Sequence, residues 1–256
     1  MRIHIIFTMV FATALTGPLS AQDLKDLLGL KKPASGTNSV AAAALSQEQV
    51  SAGLKEALAK GVEQAVATLG KEDGFLKDLN VKIPMPDSLK KVEKTLRSLH
   101  QDELADEFVT TMNRAAEKAV PEAAAVLGDS VKQMSIADAT TILTGTNNAA
   151  TQYFRRTSET NLYERFLPIV KAATEATGVT SAYKRMEDKV AGGFGGLGGR
   201  VGNLLGVQAP DLDDYITHKA LDGLFLKIGE QEKLIRENPV ARTTDLLQKV
   251  FSAVGK

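Results

Sequence analysis

A carboxylate that is to act as an acid, a base or an anchor needs a cation or an amide beside it. The densest such combination in the chain is Asn113, Arg114 and Glu117. Asn113 and Glu117 are four residues apart, so a helix would set them on one face, beside alanines at 115, 116 and 119 that let another helix approach closely. Arg155, Arg156, Arg236 and Arg242 are the arginines that could join them, with Asp245 as a further carboxylate. If the face carrying Asn113 and Glu117 turns inward, its polar groups must be paired, because burying them alone is strongly unfavourable. The result is either an ion-pair network that locks helices together or a pocket for an anion. The network is the preferred reading, since arginine–carboxylate pairs commonly serve that purpose.

Other candidates for chemistry lack their context. Gly193, Gly195 and Gly198 satisfy G-x-G-x-x-G, but a dinucleotide site needs that turn between a strand and a helix, and no strand precedes it. His100 falls at a helix end, where an imidazolium suits the dipole, and His218 lies in a helical stretch; neither belongs to H-E-x-x-H. Asp211, Asp213 and Asp214 lack the central glycine and distant glutamate of a calcium loop, and acidic residues also belong in a helix's first turn. The chain has no cysteine, which excludes disulfides, thiolate metal sites and a cysteine nucleophile. No metal site and no cofactor is expected, and no G-x-S-x-G elbow is present.

The elements that must position these residues read as helices. Ser46 and Gln49 form a capping box before Val50, Leu54, Leu58, Ala65 and Leu69, and Gly70 ends that helix. Residues 74–86 alternate Leu79, Val81, Ile83 and Met85 with polar or proline positions. Pro84 and Pro86 bar them from a central strand, so they predict an extended segment laid over the core. Pro86 opens a helix with Leu89, Val92, Leu96 and Leu99. Leu104, Phe108, Met112, Ala115, Ala116 and Ala119 form the next stripe, up to Pro121, which should kink the helix or start another. Ser135 and Asp138 predict a second capping box, and Gly145 closes its helix. Separate helices are expected over 147–156 and 158–176, then a shorter one over 180–190. Residues 191–210 hold eight of the 21 glycines and read as a mobile loop. A helix from Asp211 to Ile228, continuing to Glu237, and a last one carrying Leu246, Leu247, Val250 and Phe251 follow it. The fold class is therefore all-α: a compact domain over 46–256 with eight or nine helices, the glycine-rich loop lying before the last two.

Bulk properties narrow the function classes. The chain has 31 basic and 31 acidic residues in 256, a balance that argues against gripping nucleic acid. Arg2, the apolar run Ile3 to Leu15, the breakers Gly17 and Pro18, and small Ser20 and Ala21 read as a secretory leader cleaved after Ala21. The run is too short to span a bilayer, and no later segment is long and apolar enough, so an integral membrane protein is not expected. With no cysteine after the leader, a lipoprotein anchor is closed, and the expected location is the periplasm. Residues 22–45 read as a flexible arm.

Six segments, GLKEALAKGVEQAV (53–66), KIPMPDSLKKVEKTLR (82–97), MNRAAEKAVPEA (112–123), MSIADATTILTGTNNAATQYFRR (134–156), YITHKALDGLF (215–225) and IRENPVARTTDLL (235–247), are similar to domain-of-unknown-function family 4197. The resemblance covers roughly 46–251 and implies an exported helical protein, without an activity or site residues to carry over. The leading functional reading is a non-catalytic binding or interaction protein of the cell envelope, taking a small apolar or amphiphilic ligand or an envelope protein as partner. The alternative is an envelope hydrolase that uses a carboxylate and arginine cluster such as Glu117 and Arg114.

Overall fold

The computed structural model describes residues 46–193, 211–242 and 244–253. The leader expected over 1–21, the arm over 22–45 and residues 194–210 of the glycine-rich stretch expected over 191–210 lie outside the described residues. Helix α1, Gln47–Leu69, starts at the Ser46 capping box: the Gln49 amide donates to the Ser46 hydroxyl at 3.2 Å, and the Ser46 amide donates to the Gln49 side chain at 2.9 Å. Residues 71–81 then form turns and 82–86 an extended run. Val81, Ile83 and Met85 are buried, as the alternation predicts, and so is Phe75 in the preceding turns, but Leu79 is 88% exposed because it sits in the turn beyond Asp78.

Pro86 leads into a 3-10 turn, Asp87–Leu89, and α2, Lys90–Ser98. Leu99 caps α2 and His100 follows with φ 54°, which reverses the chain into α3, Asp102–Ala119. At Pro121 a 3-10 turn, Val120–Glu122, joins α3 to α4, Ala123–Gln133, so the proline begins a new helix. Helix α5, Ile136–Thr144, opens on the Ser135–Asp138 capping box and closes at Gly145.

The two helices expected over 147–156 and 158–176 are one, α6, Ala149–Thr177. The apolar stripe Ala150, Phe154, Leu162, Phe166, Val170 and Ala173 runs through the supposed break. Ser158 opens no new helix: its buried hydroxyl pairs with that of Ser130 at 2.5 Å, and Thr157 donates back to the Tyr153 carbonyl at 2.8 Å. Gly178, at φ 77°, ends α6 in the left-handed region that glycine enters most easily. Helix α7, Val179–Gly193, runs three residues into the stretch expected to be loop. Helix α8, Leu212–Glu237, follows Asp211, a 3-10 turn spans Pro239–Ala241, and α9 spans Asp245–Ala253. There are thus nine α-helices and no strand among the described residues.

Helix α6 is the axis of the core, lying against α8 on one side and α3 and α4 on others. Helix α1 packs on α8, α4, α5 and α9, and α7 covers α3 and α2. Phe75, Phe108, Phe154, Phe166 and Phe225 are fully buried among these helices. Each contributes about 2–3 kcal/mol of transfer free energy relative to an exposed ring. Gly223 lets the 75–81 segment lie directly on α8: a Cβ there would meet the Phe75 ring at 2.8 Å and the Val81 Cβ at 3.2 Å.

Candidate functional site

The inward face of α3 does carry Asn113, Arg114 and Glu117, and it grips the 70–86 segment. Asn113 is wholly buried. Its Oδ1 accepts the Ile83 amide at 2.8 Å, and its Nδ2 donates to the carbonyls of Ile83 at 2.9 Å and Val109 at 2.7 Å. It behaves like a neighbouring strand to a backbone that has none. Glu117 Oε1 accepts the amides of Phe75 at 3.0 Å and Leu76 at 3.2 Å, while Oε2 takes the Arg114 guanidinium at 2.7 Å. Arg114 also holds Asp73 at 2.7 Å. Asp73 stands at φ 65° and its carboxyl is kept below its ordinary range by hydrogen bonds from Lys77 and Arg114.

Arg236 belongs to a second arrangement, with Glu232 one turn earlier on α8. Glu232 is buried on the stripe between Ile228 and Ile235. Its carboxylate accepts the Ala150 amide at 2.9 Å and the Thr151 amide at 3.0 Å, the unpaired donors of α6's first turn, and the Thr151 hydroxyl at 2.9 Å. Arg236 binds Glu232 at 2.8 Å and donates to the Ile142 carbonyl at 2.7 Å and the Leu143 carbonyl at 3.3 Å, at the end of α5. One ion pair on α8 therefore caps two other helices. Arg242 closes α8 itself, donating to the carbonyls of Ile235 at 3.1 Å and Arg236 at 2.8 Å, with its guanidinium 5.6 Å from the Phe251 ring.

Arg155 lies elsewhere, in a groove of about 860 Å³ between the 80–84 segment, the start of α6 and the outer face of α8. Its guanidinium sits 4.5 Å over the Phe225 ring and reaches Glu159 at 3.0 Å and Asp222 at 3.3 Å. Val81, Pro84, Phe225 and Leu226 give the groove its apolar surface, and Lys82, Lys219 and Lys233 stand along it. Nearby, Lys227 holds the 70–86 segment through Asp78 at 2.6 Å and binds Glu230 at 2.8 Å. Burial disfavours its charge, but these two carboxylates outweigh that and raise its pKa; in return Lys227 holds the Asp78 carboxyl below its ordinary range. Arg156 is exposed over the Tyr153 ring at 5.8 Å, and Asp245 lies exposed in the first turn of α9.

Of the remaining polar residues, Asp211 accepts the Asp214 amide as the N-cap of α8, and Asp213 takes the Thr174 hydroxyl at 2.6 Å. Asp214 takes the Tyr163 hydroxyl at 2.6 Å, which raises the tyrosine pKa, and lies 3.2 Å from exposed His218. Among the described residues no three histidines, aspartates or glutamates are placed to hold a metal ion. No helix among them is long and apolar enough to cross a membrane.

A family profile described as protein of unknown function (DUF4197) matches residues 44–252. The chain belongs to this family. No curated protein and no solved structure matches it.

In this family member the eight polar residues singled out from sequence are thus divided among several places: 113, 114 and 117 stay together, 236 and 242 cluster at the end of α8, and 155, 156 and 245 stand apart. Sequence reasoning missed Glu232 and the groove lysines. Glu232 had a signal, since a charged residue on the apolar stripe of α8, four before an arginine, must find partners once buried. The groove had none, because 82, 219 and 233 meet only in the tertiary fold.

Proposed function

We propose that the chain is a non-catalytic binding protein of the cell envelope, exported by its leader, and that the groove beside α8 takes up an amphiphilic ligand. The observation that carries this is the groove itself: about 860 Å³, apolar along Val81, Pro84, Phe225 and Leu226, and edged by lysines. Its size falls in the range of small-molecule sites, which are commonly apolar with a few polar groups for orientation. The hydrolase alternative relies on Arg114 and Glu117. A general acid or base must face its substrate, whereas the Glu117 oxygens face two backbone amides and Arg114 inside the protein. That engagement favours the binding reading.

Gly229 lines the groove, and a Cβ there meets Thr151 only at 3.5 Å and beyond, an ordinary contact. Gly229→Leu should therefore obstruct the groove with its side chain, and a far-UV circular dichroism spectrum like the wild type's checks that the variant is folded. Isothermal titration with dodecyl amphiphiles below their micelle concentrations should show saturable binding to the wild type and its loss in Gly229→Leu. Absence of binding by every dodecyl compound, or equal binding by the variant, would overturn the reading.

A further inference from the structure

Resting on that reading, we infer that the groove's ligand carries an anionic head, a phosphate or a carboxylate, received at one end by Lys82 and Lys219. The charges along the groove are unequally committed. Its two carboxylates are taken: Asp222 pairs with Arg155 at 3.3 Å and Glu230 with Lys227 at 2.8 Å. Arg155 is itself paired twice. Lys82, Lys219 and Lys233, by contrast, form no ion pair with any described residue; Lys219 only rests 6.0 Å from the Tyr215 ring. Asp87, which feels the charge of Lys219, is bound by Lys90 at 2.6 Å. The groove thus keeps an uncompensated positive charge beside an apolar floor, a pairing that suits neither a neutral sugar nor a cationic amphiphile.

The course of the 78–84 segment tells which end holds the head. Asp78 pairs with Lys227, Val81 lies against Gly223, and the Tyr215 hydroxyl donates to the Pro84 carbonyl at 3.0 Å. The segment therefore runs antiparallel to α8, and Lys82 comes beside the turn of α8 that carries Lys219. Two unpaired cations share that end. Lys233 stands 14 residues further on, about 21 Å along the helix axis, where Asn147 is hydrogen-bonded to Glu237 at 3.0 Å. Two lysines thus stand at one end against one at the other, so the head belongs with Lys82 and Lys219 and the alkyl chain lies over Leu226 and Phe225 toward Lys233.

The test is isothermal titration of the protein with dodecyl phosphate, dodecanoate, dodecyl maltoside, dodecyltrimethylammonium and inorganic phosphate, each below any micelle concentration. The two anionic amphiphiles should bind at least tenfold tighter than the maltoside, with the preference shrinking as salt is raised. The double variant Lys82→Gln/Lys219→Gln should abolish the preference while leaving maltoside affinity unchanged, and Lys233→Gln should do much less. Equal affinity for dodecyl phosphate and dodecyl maltoside would overturn the anionic head but leave the groove reading standing. Failure of all dodecyl compounds would overturn both. Inorganic phosphate binding as tightly as dodecyl phosphate would overturn the amphiphile in favour of a free anion. An anion preference untouched by the double variant would remove the head from this end.

Discussion

The carboxylates buried on α3 and α8 and the lysines along the groove are two charged regions that differ in what they are bonded to. Glu117 and Glu232 spend their oxygens on backbone amides and arginines of the same chain. Lys82, Lys219 and Lys233 have no such partner among the described residues. A charge that has been desolvated and satisfied internally holds the fold, and removing its partner leaves an orphan; an unsatisfied charge at a surface groove is available to something outside the chain.

The contrast can be broken most forcefully at Glu232. Glu232→Ala leaves Arg236 and the first amides of α6 without their carboxylate, and should cost about 3–5 kcal/mol in urea unfolding. A loss below about 1 kcal/mol, the level of an exposed pair, would dissolve the distinction. Next is Asn113→Ala, which strands the Ile83 amide and carbonyl and should cost about 1–3 kcal/mol. Its signature is local: amide exchange at Ile83 should accelerate far more than in α1. Gly229→Ala should go the other way, gaining up to about 1 kcal/mol of helix propensity at a position with room for a methyl group. Lys219→Gln sharpens the other side of the comparison, with stability changed by no more than about 0.5 kcal/mol and only ligand affinity altered.

The smallest effect is in acid. Asp78 has its folded pKa lowered by Lys227, so its contribution is complete above its ordinary value of 3.8 and is lost as pH falls through the lowered value. Asp78→Asn should lower stability at neutral pH and flatten its dependence below about pH 4. A slope identical to wild type would show that the Asp78–Lys227 pair adds nothing.

Helix content was legible from local signals, because both capping boxes and the stripes of α1, α3 and α8 depend on residues three or four apart. The break placed at 157 was wrong for a related reason: Ser158 resembles a cap locally, and only its burial against Ser130 shows it as an interior residue. Leu79 failed similarly, since a turn at Asp78 interrupts an alternation that its neighbours obey. On the site side, the inward turn of Asn113 and Glu117 was readable from the alanines around them. Their partners were not, because Phe75, Leu76 and Ile83 contribute backbone groups, which every sequence position offers alike. Glu232 and Arg236 lie 82 and 94 residues from the groups they cap, beyond the reach of any local pattern.

That separation also has a consequence in time. The chain grows at roughly 5–20 residues per second, so about 4–16 s pass between synthesis of α6's first turn and arrival of the carboxylate that caps it. Until then the longest helix among the described residues has an open end and α5 an unanswered one. Neither end can be closed before α8 is present. A chain terminated before Glu232 would hold most of the apolar core and still lack the groups that close it, so the native state depends on its last helices wherever folding takes place.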